Sequence, residues 1–270
     1  MNLKRMTWRV GVCLLAVTAV AMLSGVVTAG ESQSFDSAAS AAAGGWTGSG
    51  NTTWGPYGYS DTNNTGGSSG AGEAGGTFER TNVAAYYGDT DIGTVNGADG
   101  FSASGELYVA APFADNDTFV GHFGTPAAGA VGYENHHGGF MLRELNTSNF
   151  RFMARVRGDK EGQETGDQVV TPNGNYNFNY NYDAGTQQLT ATLTHPLTGA
   201  VVSTSTTPAM TNQTFTADAF GLRSGFNSAG SGQTMTAYID GVTYSSAIPE
   251  PSTLILLALS VVGLVMRRGR

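Results

Sequence analysis

The chain has 270 residues, 39 of them Gly, with only 13% charged side chains and a single Cys. Setting its two ends aside leaves seven basic against 20 acidic residues, a net charge near −13 for residues 30–247. So acidic a body repels phosphate backbones and excludes nucleic acid as a partner. The lone Cys13, near the N-terminus, excludes a disulfide scaffold or a Cys-based metal site in the rest of the chain.

The N-terminal segment begins Met1-Asn2-Leu3-Lys4-Arg5, continues as an apolar stretch from Val10 to Val27 and closes on Val27-Thr28-Ala29. A basic start, an apolar middle and a small-residue end describe a secretory signal peptide over residues 1–29, cut after Ala29 by signal peptidase. Cys13 is not a lipidation site, because Val12 precedes it and it lies early in the apolar run.

Residues 30–247 show no amphipathic helical period, and short strand-like runs lie between turn signals. Residues 44–76, dense in Gly, Ser, Asn and Thr, are expected to form long surface loops around short strands. Strands are expected at Gly105–Ala110, Thr118–Phe123, Gly139–Leu145 and Phe150–Arg157. In the last of these, Phe150, Phe152, Ala154 and Val156 share one face. Arg151, Arg155 and Arg157 share the other, as a basic stripe for an anionic polysaccharide or for the body's own carboxylates.

The clearest strand is Tyr176 to Tyr182, where Tyr176, Phe178, Tyr180 and Tyr182 alternate with Asn177, Asn179 and Asn181. The aromatic set belongs inside a sandwich, which turns the Asn amides, able to donate and accept, outward. Asp183-Ala184-Gly185 turns into Leu189–Leu193, and Pro196 and Gly199 mark the turn into Val201-Val202, an antiparallel meander. Further strands are expected at Ala219–Arg223 and Met235–Tyr244. Together these define an all-β chain, an antiparallel two-sheet sandwich or jelly roll forming one domain.

Few residues offer chemistry. Glu134-Asn135-His136-His137 is a weak metal or catalytic candidate, since adjacent His on a strand face opposite ways and no third ligand is near. Asp89-Thr90-Asp91 and Asp115-Asn116-Asp117 have the oxygen spacing of calcium loops without the full EF-hand pattern, and read as Asx turns. No metal ligand set is assigned and no cofactor is expected, calcium being the one ion such turns would suit. Glu106 and Glu134 each stand alone, Glu144 has no acidic neighbour two residues away, and no Gly-x-Ser-x-Gly elbow occurs. The chain is therefore read as a non-enzyme.

From Asp218-Ala-Phe-Gly-Leu222 through Thr236-Ala-Tyr-Ile-Asp-Gly-Val-Thr-Tyr244, the chain resembles the last strands of concanavalin A-like and laminin G-like sandwiches. That resemblance implies that the last strand returns beside an N-terminal partner, here around Phe35-Asp36-Ser37 and Gly45-Trp46.

The tail, 248–270, is the most specific feature. Pro249-Glu250-Pro251 fixes two φ angles and removes two amide donors, so it is extended and exposed. An apolar helix is expected over 253–266, short of the ~20 residues that cross a bilayer comfortably, and Arg267, Arg268 and Arg270 would hold its end in the cytoplasm. Motif, helix and Arg cluster in this order resemble the PEP-CTERM sorting signal. The resemblance implies recognition by exosortase, transient anchoring in the inner membrane of a Gram-negative bacterium, and delivery to the cell surface or extracellular matrix. The expected function is a non-catalytic surface protein binding extracellular polysaccharide, with Arg151, Arg155, Arg157, Asn177 and Asn179 as candidate ligand contacts. The alternatives are a polysaccharide hydrolase or lyase using Glu106, Glu134 or His136, and a purely structural matrix protein.

Overall fold

The structure is a computed structural model that describes residues 29–49, 58–66, 72–79, 85–113, 117–126, 136–159, 163–211, 213–224 and 234–246. The chain divides into Gly30–Ile248 and the two end segments, Met1–Ala29 with Pro249–Arg270. The expected signal helix and tail helix lie outside the described residues. Among the described residues no helix is long and apolar enough to cross a membrane.

In chain order the elements are β1 (Ala29–Gln33), α1 (Ala38–Ala43), β2 (Trp46–Ser49), β3 (Gly58–Ser60), β4 (Glu73–Glu79), β5 (Ala85–Asp89) and β6 (Val95–Asn96). After a 3₁₀ turn, Gly97–Asp99, come β7 (Phe101–Phe113), β8 (Asp117–Phe123), β9 (His137–Asn146), β10 (Asn149–Arg157), β11 (Gln163–Thr165) and β12 (Val169–Pro172). The chain then forms β13 (Gly174–Asp183), β14 (Gln188–Thr194), β15 (Val201–Thr206), β16 (Thr216–Ala217), β17 (Ala219–Ser224) and β18 (Thr234–Ser246). One sheet, A, runs β15-β14-β13-β7-β18-β4-β3 with β1 against β18. The other, B, runs β11-β10-β9-β8-β17-β5-β2 with β12 against β10, and β16 pairs β6 apart from both. The body is thus an all-β, antiparallel two-sheet sandwich, with every strand expected from 105 to 244 in place.

Alternation puts the core between the sheets. Tyr176, Phe178, Tyr180 and Tyr182 of β13 are buried while Asn179 and Asn181 are exposed. Phe178 meets Phe140 of sheet B at 5.3 Å, Tyr176 meets Phe150 at 6.1 Å, and Tyr182 stacks on Phe101 at 4.9 Å. Each such buried aromatic contributes about 1.5–3 kcal/mol of transfer free energy.

Two of the buried polar side chains, His122 and Asp89, join distant strands through hydrogen bonds. His122 of β8 bridges the sheets, with Nε2 2.8 Å from the Ser245 carbonyl and Nδ1 2.7 Å from the Tyr180 hydroxyl. A carbonyl can only accept, so Nε2 carries the proton and Nδ1 accepts from Tyr180. Burial drives its pKa down to about 4, opposed by the bond to Ser245. Asp89 of β5 accepts from the Tyr244 hydroxyl at 2.7 Å and from the Asp91 amide at 2.8 Å. Burial raises its pKa to about 6 against those two bonds, and the nearby Glu31 carboxyl of β1 adds to the rise.

Three sequence expectations need correction. The N-terminal partner of β18 is β1, upstream of Phe35. Phe35 (φ 51°) and Trp46 act as core plugs instead, 4.6 Å apart and edge to face, and Trp46 opens β2 opposite Asp89 in sheet B. Between them lies α1, a helix that no apolar period announced because only Ala41 of its six residues is buried. Ser37 and Ser40 hold its start through reciprocal 3.0 Å bonds between hydroxyl and backbone N–H.

The third correction concerns sheet B, whose second face is not a solvated one. Tyr86, Phe119, Phe123, Met141, Met153 and Ala219 form a separate buried cluster there. A row of glycines crosses it in register, Gly88–Gly221–Gly121–Gly139, ending on Arg155. A Cβ at Gly139 would strike the Val120 carbonyl and come within 3.0 Å of the Phe119 ring. Arg155 is consequently buried at 2% exposure, its guanidinium 3.2 Å from the Met141 sulfur, while Arg151 and Arg157 are half-buried. The expected three-arginine surface stripe therefore reduces to its two ends.

Candidate binding face of sheet A

The outward residues of sheet A form rows across the strands, fixed by pairing register. Two rows carry only hydroxyls and amides. One runs Thr206–Thr190–Asn181–Ser102, and the other Thr204–Thr192–Asn179–Ser104–Thr243. Their hydroxyls bond across strands, Thr190 to Thr206 at 3.0 Å and Thr192 to Thr204 at 3.3 Å, and Ser32 of β1 reaches Thr243 at 3.1 Å. Such cross-strand Thr pairs each add a few tenths of a kcal/mol. They also hold the hydroxyl oxygens on a fixed grid, ~4.8 Å across strands and ~6.8 Å along them.

The next row is acidic. Thr194, Asn177, Glu106 and Asp240 are opposed in register. Asp240 is fully buried and its Oδ1 accepts the Gly241 amide at 2.6 Å. Beyond it runs Asn175–Tyr108–Tyr238–Gly75–Gly58. The Tyr108 and Tyr238 rings lie 6.3 Å apart, tilted by 32°, and both are half-buried on the outside of the sheet. The Tyr238 hydroxyl is pushed above its ordinary pKa, chiefly by burial, with the Glu73 charge adding and a bond to Ser60 opposing.

A strap borders this row. Glu73 of β4, fully buried, accepts from the Thr62 hydroxyl (2.5 Å), the Asn64 amide N–H (2.9 Å), the Asn64 side-chain Nδ2 (2.5 Å) and the Thr65 N–H (3.1 Å). Four donors on one carboxylate fix Thr62–Thr65, and Gly66 then comes against Asn175 of β13, whose Nδ2 would lie 3.1 Å from a Cβ there. The strap is thus held at one end by β4 and at the other by β13, the strands that flank β18 and β7 in sheet order.

Of the sequence candidates, Asn177 and Asn179 lie on this face in adjacent rows, Asn177 half-buried beside Glu106 and Asn179 exposed. Arg151, Arg155 and Arg157 lie on the far face of sheet B, so the two candidate sets are not brought together. Arg151 stands opposite Arg143 in register. His136 Nδ1 accepts from the Thr216 N–H at 2.9 Å, and His137 is buried in sheet B. Glu134 lies outside the described residues, as do Asp115 and Asn116. Asp89 closes an Asx turn onto Asp91. Among the described residues no three His, Cys, Asp or Glu gather to hold a metal ion. Sequence reasoning missed Tyr108, Tyr238 and Glu73. Alternation with the apolar Leu107 and Val109 is the signal that sets Tyr108 on the outer face, but only register places it beside Tyr238.

Residues 247–270 match the PEP-CTERM protein-sorting motif. The chain is accordingly an exported protein carrying a signal handled by exosortase at the membrane. No curated protein matches it. Among solved structures it is similar to peanut lectin bound to a nine-residue peptide, at 13% identity and TM-score 0.49 over 81% of this chain and 97% of that one. Lectin UEA-II complexed with galactose is similar at 10% identity and TM-score 0.49, over 82% and 99%. Arcelin-5, a lectin-like defence protein from Phaseolus vulgaris, is similar at 12% identity and TM-score 0.42, over 80% and 98%. The likeness is one of sandwich architecture.

Proposed function

We propose that this is a non-catalytic, polysaccharide-binding protein of the cell surface or extracellular matrix of a Gram-negative bacterium, delivered by its PEP-CTERM signal. Signal peptidase cuts after Ala29, so that the mature chain begins at Gly30, within β1. The tail from 248 then anchors the body briefly in the inner membrane through 253–266 and Arg267-Arg268, until exosortase cuts near Pro249-Glu250-Pro251.

One observation carries the binding part of this reading. Two rows of hydroxyls and amides, free of charge, run across sheet A and include Asn179, with Asn177 in the row beside them. Each group donates and accepts, as sugar hydroxyls do. A hydrolase is disfavoured by the burial of Asp240, the carboxyl opposite Glu106, because two carboxyls flanking a glycosidic bond must both reach it. Glu106 and His136 belong to different parts of the fold. Calcium has no part in this reading, and chelation should leave binding unchanged.

The test has two arms. The exported protein is run over a glycan array with and without chelator, with N177A/N179A alongside. Binding lost in that variant supports sheet A as the face; an array blank for the wild-type protein leaves the purely structural matrix role. In exosortase-competent cells, replacing Pro249-Glu250-Pro251 by three alanines should keep the protein in the membrane fraction, and release unchanged by that replacement would overturn the sorting account.

A further inference from the structure

The tyrosine row carries the reading further. We infer that Tyr108 and Tyr238 form a stacking platform for the pyranose rings of an uncharged polysaccharide, with Asn175 and the strap as its borders. This rests on the proposal that sheet A binds glycans, and it names the subsite and the ligand class.

Both tyrosines belong to neither hydrophobic core cluster, so packing of the sandwich does not account for them. They are neighbours across β7 and β18, held with ring centroids 6.3 Å apart. In register the row continues past Tyr238 to Gly75, which is buried, and Gly58, which is half-buried. A Cβ at Gly75 would strike the Ala237 carbonyl and then the Tyr238 ring at 2.8 Å, so the glycine lets β4 and β18 approach closely beneath that ring. A Cβ at Gly58 would meet nothing within 4 Å, which leaves open ground at the end of the row. At the opposite end Asn175 supplies an amide, and its Nδ2 lies against Gly66 of the strap.

The chemistry selects the ligand. A sugar ring offers an apolar C–H face and a rim of hydroxyls, matching an aromatic surface bordered by amides and hydroxyls. The next row holds Glu106 and Asp240, Glu73 anchors the strap, and the body carries a net charge near −13, from seven basic and 20 acidic residues. A uronic-acid or sulfated polymer would be repelled there, so the glycan is uncharged.

Affinity electrophoresis of the exported protein in gels containing hydroxyethylcellulose, dextran or alginate tests this. The wild-type protein should be retarded by at least one neutral polymer and not by alginate. Y108A/Y238A should weaken retardation at least tenfold, about the value of one lost stacking contact, while Y108F/Y238F stays within about threefold. Should the alanine variant fail to fold, Y108L/Y238L keeps apolar bulk without the flat ring and should show the same loss. If the tyrosine variants bind as the wild type does while N177A/N179A does not, the platform is wrong and the sheet A reading stands. If the wild-type protein is retarded by none of the gels and binds nothing on the array, the glycan reading itself has failed. Preference for alginate overturns the uncharged class.

Discussion

His122 makes stability depend on pH in a way the structure fixes. In the fold it stays neutral down to about pH 4, whereas in the unfolded chain it takes a proton near 6.5. Between these values the unfolded state holds a proton that the folded state refuses, so this contribution is full above pH 6.5 and is lost as pH falls towards 4. At 1.36 kcal/mol per unit the window is worth about 3 kcal/mol. Asp89 works in the opposite sense. Its folded pKa is raised to about 6 from 3.8, so it favours the fold at low pH and that advantage disappears as pH rises through 6. Glu31, which adds to that rise, is half-buried, and solvent screening of its charge lessens the second effect. The two slopes oppose each other between pH 4 and 6. Urea unfolding of the exported protein, followed by far-UV circular dichroism from pH 4 to 7, isolates each one as a variant-minus-wild-type difference. D89N should grow more stable relative to the wild type as pH rises from 4 to 6. H122Q, unable to titrate, should be weaker above pH 6.5 by about 1–3 kcal/mol for the bond it loses. Its deficit should widen by about 3 kcal/mol between pH 4 and 6.5. An H122Q curve parallel to the wild type would refute the buried neutral imidazole.

Three further outcomes follow from named contacts. Glu73→Gln replaces one acceptor oxygen with an N–H facing donors from Thr62, Asn64 and Thr65. It should cost about 1–3 kcal/mol and speed hydrogen exchange at the Asn64 and Thr65 amides. Gly139→Ala drives a methyl into the Val120 carbonyl and should lower the urea midpoint sharply, by an amount in the overpacking range of about 1–3 kcal/mol or more. Tyr180→Phe leaves His122 Nδ1 buried without its donor and should destabilise by about 1–3 kcal/mol, whereas Asn181→Ala, one residue away and exposed, should stay within about 0.5 kcal/mol.

Period 2 was legible wherever one face of a strand is buried and the other wet. That holds for β13, where aromatics alternate with Asn, and for β14, where Leu189, Ala191 and Leu193 alternate with Thr. It failed in β10, where the buried positions run without a break from Phe152 to Val156. There the same alternation of Phe and Arg separates two interiors rather than an interior from solvent, so the expected basic stripe for a polysaccharide or for the body's own carboxylates has Arg155 buried at its middle. The Asp89–Tyr244 and His122–Ser245 bonds join residues 155 and 123 positions apart, beyond any local pattern.

By itself the sequence determined the C-terminal sorting motif and the strands. Pro249-Glu250-Pro251, the apolar run and Arg267-Arg268 are legible because they lie in one contiguous stretch of sequence. The strands are local too, since alternation belongs to the backbone pleat. Tertiary structure alone decided which strands are neighbours. That register put Tyr108 beside Tyr238, Glu106 beside Asp240 and the Asn row against the Thr rows, and it left the Arg row on the other sheet with Arg155 sealed beneath Met141. Cross-strand adjacency depends on pairings between distant segments, and no spacing within one segment encodes it.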